Sequence, residues 1–227
     1  MSVNGYLQQS YCTFVFDCDG VIIDSNPVKT EAYRQVAQPY GEDIAKALVE
    51  YHVIQGGVSR YEKFAYMLTE LLGEPLIDEK VRDLARLFSE CMYNNLLTCP
   101  VTEGLKELRR ATERSRWMIV SGGDQNELRR LFVERGIASL FDGGIFGSPD
   151  NKDETLAREQ LLGNLSFPAL FVGDSRYDHE AAERAGIDFV FASAWTEFSD
   201  WQEYAATWQF PVVSSVRDLA PIFADNF

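Results

Sequence analysis

Short apolar runs that stop at a polar residue or glycine constrain this fold most: CTFVFD (12–17), RWMIVSGG (116–123), GGIFGS (143–148), ALFVGD (169–174) and DFVFAS (188–193). Their hydrophobicity is continuous rather than alternating, the pattern of strands buried on both faces in a parallel sheet. Helical patterns lie between them. NELRRLFVERGI sets Leu128, Leu131 and Phe132 on one face with Gly136 as a stop, and DETLAREQLLG does the same with Leu156, Leu161 and Gly163. Strand and helix in alternation predict an α/β fold, a doubly wound parallel sheet with a Rossmann-like core.

Residues 26–99 break that rhythm. Val81, Leu84, Phe88 and Cys91 recur at helical spacing, with Asp78 placed as an N-cap and with Gly73 and Pro75 as punctuation. No run of the buried-strand type occurs there, so the stretch reads as an inserted α-helical lobe. The predicted division is 1–25 and 100–227 for the α/β core and 26–99 for the helical domain. The tail after Trp195, with Trp201 and Trp208, suggests packing and no other role.

The formal net charge of −14 argues against nucleic acid as a partner, because a phosphate backbone needs a basic surface. Cys12, Cys18, Cys91 and Cys99 form no Cys-x-x-Cys pair, and His52 and His179 are the two histidines, which gives zinc little support. The opening MSVNGYLQQSY lacks the basic and apolar parts of a signal peptide, and no apolar run approaches the ~18 residues of a membrane span. A soluble cytoplasmic protein with reduced thiols is expected. Composition is silent on oligomeric state.

In an open parallel sheet, ligands bind beyond the carboxyl ends of the strands. Asp17 and Asp19, Ser121, and Asp174 with Asp178 all stand at such ends, and Lys152 follows the third run. A carboxylate cluster with one hydroxyl and one ammonium suits Mg²⁺ together with a substrate phosphate. Gly20 stands fourth where an EF-hand loop needs its glycine sixth, and the chain has neither a P-loop nor a dinucleotide fingerprint.

DCDGVIIDS, the Ser of VSGG, the Lys of SPDNK and GDSRYD resemble, in order, the four motifs of the haloacid dehalogenase-like superfamily. The helical insertion resembles the cap that its phosphoglycolate phosphatase and β-phosphoglucomutase-like branch carries after the first motif. The resemblance implies Asp17 as nucleophile, forming an aspartyl-phosphate, and Asp19 as general acid and base, able to hold a proton. It implies Mg²⁺ held by Asp17, the Asp19 backbone carbonyl and Asp174, with Asp178 in the outer shell. Ser121, Gly122 through its backbone, and Lys152 would hold the phosphoryl oxygens. Within GGVSRYEKF, Arg60 resembles the residue that grips a substrate anion, with Lys63 as companion. Asp24 and Ser25 match the hinge into the cap, and His179 reads as a helix-surface residue.

The metal motif GDSRYD and a hinge without histidine favour hydrolysis. The implied activity is a Mg²⁺-dependent phosphatase acting on a small sugar phosphate or a phosphoglycolate-like compound. A β-phosphoglucomutase-like phosphomutase is the alternative, ahead of a non-catalytic phosphoacceptor module.

Overall fold

A computed structural model describes residue 7 and residues 9–224. Most of the amino-terminal stretch weighed above as a leader lies outside them. Six strands form one parallel sheet in the order β3-β2-β1-β4-β5-β6: β1 (Thr13–Phe16), β2 (Arg116–Asp124), β3 (Gly144–Ser148), β4 (Ala169–Gly173), β5 (Asp188–Ala192) and β6 (Val212–Val213). The order reverses at β1, so its neighbours β2 and β4 carry their chain connections away on opposite sides. That places the topological switch point, where open sheets bind ligands, at the end of β1.

The five runs are strands, and both faces of the sheet are dry. Phe14, Phe16, Trp117, Ile119, Leu170 and Val172 join one buried cluster, while Val15, Met118, Val120 and Phe171 join another. Successive side chains point to opposite faces of a strand, so a sheet covered on both sides demands an unbroken apolar run. The sixth strand is an addition to the sequence reading: two residues of the tail pair with Phe191 and Ala192.

Helices alternate with the later strands: α6 (Gln125–Glu134), α7 (Lys152–Leu161), α8 (Arg176–Ala185), α9 (Trp201–Trp208) and α10 (Leu219–Ala224). Each of the first three starts on a side-chain cap, from Asp124, Asn151 and Ser175 respectively. These starts fix the polar residues just beyond the strand ends.

Between β1 and β2 come α1 (Asn26–Ala37), α2 (Glu42–Ile54), α3 (Arg60–Tyr66), α4 (Asp78–Leu96) and α5 (Leu105–Ala111). Asp78 does not cap α4. Ile77 occupies that position, and Asp78 sits in the first turn, where its charge faces the positive helix end. The chain leaves the sheet and returns to it through one short ribbon. The Asp24 amide donates to the Pro100 carbonyl (3.0 Å), the Thr102 amide donates to the Ile22 carbonyl (2.9 Å), and Ile23 bridges antiparallel to Val101.

The tail packs against both sheet faces: Trp201 stacks on Phe191 at 5.5 Å on the second, and Phe223 meets Phe14 edge-on at 5.2 Å on the first. His179 is not a surface residue. Its ring lies buried among Phe189, Trp208 and Phe210 and hydrogen-bonds the Tyr204 hydroxyl at 2.9 Å, because α8 turns that face onto the tail.

Candidate active site

Asp17 follows β1 directly, and its amide donates to the Val172 carbonyl at 3.0 Å, which continues the ladder one residue past the strand. The carboxylate is therefore held against the sheet and is 2% exposed. Its Oδ1 accepts from the Cys18 amide at 2.7 Å and from Lys152 Nζ at 3.2 Å. Lys152, the first residue of α7, is equally buried and also pairs with Asp178 Oδ1. Asp178 Oδ2 accepts from the amides of Asp174 (3.2 Å) and Ser175 (3.0 Å) and from the Ser175 hydroxyl (2.7 Å). Asp178 thus serves twice, in the capping box of α8 and as counter-ion to Lys152.

Asp174, at the end of β4, accepts from the Asn26 amide group at 3.1 Å. Asp17, Asp174 and Asp178 each present a carboxylate oxygen within 4.8 Å of the others. Gly20 sits beside them at φ +74°, and a Cβ there would lie 2.0 Å from Asp174 Oδ2, so only glycine lets the loop pass.

The electrostatics of this cluster are unbalanced. With all three carboxylates ionised, the one ammonium of Lys152 would leave two negative charges in a dry place. Burial pushes the Asp17 carboxyl up to about 7, even against the pull of Lys152, with Asp178 and Asp19 adding to the rise. Burial and the Asp178 charge raise Asp174 well above the ordinary carboxylate range. A hard divalent cation bound by oxygens would cancel those two charges, so the donor set fits a metal of that kind.

Asp19 differs. Lys29, one turn into α1, forms an ion pair with its Oδ2, and the Ser25 hydroxyl donates to Oδ1 at 2.5 Å. Although burial works the other way, these partners together hold the Asp19 carboxyl below its ordinary value. The geometry therefore favours an ionised Asp19 at rest, against the expectation of a group that holds a proton. Sequence reasoning passed over Lys29, which occupies the hinge position noted only for lacking histidine.

Ser121 Oγ lies 3.5 Å from Asp19 Oδ2 and accepts from the Gly123 amide at 3.1 Å. Gly122 lines the pocket and meets the insertion: a Cβ there would lie 2.2 Å from the Gly57 carbonyl. The strand-end residues thus converge at the mouth of β1.

Arg60 lines the same pocket, yet its guanidinium is already engaged. It is 4% exposed, pairs with Glu127 of α6 at 2.7 Å, and donates to Ser89 Oγ at 2.6 Å. Lys63 is buried beside His52 rather than beside Asp17. Asn26, Lys29, His52 and Glu197 also line it, and none of them stood out in the sequence, since helix and tail positions carry no strand-end signal.

This geometry sits with a family-wide match. The family model of the haloacid dehalogenase-like hydrolases matches residues 11–186, and the chain belongs to that family and is an enzyme of that class. A phosphorylated carbohydrates phosphatase of Thermotoga maritima is 30% identical over 191 residues, 78% of this chain and 82% of that protein. Solved structures share the fold. One, a predicted phosphatase from Clostridium acetobutylicum, has a TM-score of 0.73 at 16% identity, covering 96% of this chain and 100% of that one. Another, a predicted phosphoglycolate phosphatase from Haemophilus somnus 129PT, has a TM-score of 0.68 at 17% identity, covering 94% and 98%.

Among the described residues, no helix is long and apolar enough to cross a membrane.

Proposed function

We propose that the protein is a Mg²⁺-dependent phosphatase of small phosphorylated carbohydrates, with Asp17 as the phosphoryl acceptor. The observation that carries this reading is the buried Asp17–Asp174–Asp178 cluster with Lys152, two positive charges short of balance when all three acids are ionised. The name of the Thermotoga maritima relative supports the carbohydrate class.

Asp17, Asp174 and the Asp19 backbone carbonyl would hold the Mg²⁺, with Asp178 behind them. When bound, the ion supplies positive charge against the phosphoryl oxygens. Lys152, the Ser121 hydroxyl and the backbone near Gly122 hold the remaining oxygens and fix the phosphorus in line with Asp17. The Asp17 carboxylate attacks phosphorus, an aspartyl-phosphate forms on Asp17, and the bond to the leaving oxygen breaks. Asp19 gives that oxygen a proton, then takes one from the water that cleaves the aspartyl-phosphate. Because Lys29 and Ser25 stabilise the ionised form, Asp19 must first take a proton from solvent before it can give one to the leaving oxygen, and the proton it takes from the attacking water returns to solvent at the end of the cycle. Residues 26–99 act as a cap over this chemistry, with Gly57 against Gly122 and Arg60 against Glu127 among its contacts with the sheet domain.

The test is phosphate release from a panel of sugar phosphates and small phosphorylated acids, with Mg²⁺ and with EDTA. Release is expected only with the metal, with a fall of at least about 10³-fold in Asp17→Asn, whose thermal unfolding should still be cooperative. Conversion of β-glucose 1-phosphate to the 6-phosphate without net release would replace hydrolysis by phosphomutase chemistry. Full activity in EDTA would remove the metal from the reading.

A further inference from the structure

The wall of the pocket facing the phosphoryl site carries three ionisable side chains that the chemistry above does not use: His52 on α2, Lys63 on α3 and Glu197 beyond β5. His52 is 7% exposed, its ring packed 4.3 Å from that of Tyr33. Lys63 Nζ lies 2.8 Å from its Nδ1 and donates to its backbone carbonyl at 3.4 Å. An ammonium has no lone pair to offer, so while Lys63 is charged Nδ1 must accept, and the ring proton sits on Nε2.

That Nε2 is buried without a hydrogen-bond partner. The facing group is the Glu197 carboxylate, with Oε2 at 3.9 Å, beyond hydrogen-bond reach. The two do not form an ion pair, because burial and the charges of Lys63 and Lys29 keep His52 neutral. Glu197 accepts from Thr30 Oγ1 at 3.0 Å on each oxygen, and a carboxylate has lone pairs left for one more donor. A buried N–H and a carboxylate therefore face each other 3.9 Å apart, a span that one oxygen lying beside the line between them can bridge with two hydrogen bonds.

We propose that His52 Nε2 and Glu197 form a subsite that reads one hydroxyl group on the carbohydrate part of the substrate. The hydroxyl oxygen accepts from the ring N–H, and its proton goes to Glu197. A group that both accepts and donates is required, and an alcohol is one. A second phosphate or a carboxylate would satisfy His52 but confront the Glu197 charge. The neighbouring cation tells the same story. Arg60, which the sequence marks for a second anion, is neutralised from within by Glu127. Both features select a polyol monophosphate over a substrate with two anionic ends. The inference rests on the reading of Asp17 as the phosphoryl acceptor and adds the residues that choose the substrate.

The experiment measures binding by calorimetry in the inert Asp17→Asn protein with Mg²⁺. The probes are glucose 6-phosphate, its 2-, 3- and 4-deoxy analogues, and phosphoglycolate. At least one deoxy analogue should bind about tenfold or more weaker than the parent, and phosphoglycolate weaker still. Adding Glu197→Ala, or separately His52→Phe, should bring the parent-to-deoxy ratio to near one. A merely structural role would weaken parent and analogue alike and keep the ratio. That result overturns the subsite, as does equal affinity for all the sugars, or no binding of the parent. Glu197 is only partly buried, so its variant stays informative even where His52→Phe fails to fold. The catalytic reading is scored separately by phosphate release from the unmutated protein. Release without any hydroxyl dependence removes the subsite alone, and hydroxyl-dependent binding without release removes the phosphatase alone.

Discussion

Lys63 illustrates what one side chain can cost. Its ammonium is buried with a neutral imidazole and a carbonyl as its hydrogen-bond partners, and burial lowers its pKa from 10.5 to about 7. A lowered lysine sets the sign. Below about 7 both folded and unfolded forms are protonated, and the folded form bears the full penalty of a buried charge. Between about 7 and 10.5 the unfolded chain keeps its proton while the folded one has released it, so stability rises with pH across that window. Lys63→Met should therefore stabilise the protein at pH 6, by on the order of a few kcal/mol, and much less at pH 10. Urea unfolding at the two pH values measures this, and a gain that does not shrink with pH would place the cost elsewhere. The acids around Asp17 were legible in the sequence for a plain reason: each one ends or follows a strand, and a parallel sheet brings strand ends together. His52 and Lys29 were not legible as a site, and Lys63 was marked only as a companion of Arg60, not as a partner of His52. Their positions on helices are set by how three helices pack, and local spacing holds no record of that.

At the level of elements, the contact between the loop before α3 and the end of β2 decides how the insertion meets the sheet. Gly122 has no room for a methyl group, because the Gly57 carbonyl stands where the Cβ would be. Gly122→Ala should push that loop outward and misplace the pocket wall. The expected result is a fall of about 10²-fold in kcat/KM with a stability loss of about 1–3 kcal/mol, read by phosphate release and denaturant titration. Unchanged values in both would mean that the loop yields freely. The strand pattern of the sheet was readable because its double burial leaves unbroken apolar runs. The sixth strand was not, since two residues carry no periodicity and pair only where β5 offers a free edge. Asp78 misled as a cap because an acid in the first turn and an acid one position earlier look alike in sequence, and only the backbone angles separate them.

For the whole molecule, the insertion and the sheet are not separate apolar bodies. Tyr33, Phe64 and Phe88 belong to the same buried cluster as Phe16, Trp117 and Leu131. The Arg60–Glu127 pair and the hydrogen bond from the Tyr61 hydroxyl to Asp124 at 3.1 Å tie the two further. Unfolding should be a single transition in scanning calorimetry, with calorimetric and van 't Hoff enthalpies equal within error. Two resolved peaks would show that the shared cluster does not couple the parts. Glu127→Gln should then lower the melting point, because it leaves the Arg60 charge buried without its partner. The ribbon formed by residues 22–24 and 100–102 has a consequence of another kind. Because the excursion begins and ends on two hydrogen-bonded neighbours, the parts of it that do not pack on the sheet can lengthen or shorten without moving a strand. Such an architecture lets the stretch that carries His52 and Lys63 change apart from the strand-end acids, while Glu197, on the sheet side, keeps a share in the choice of molecule.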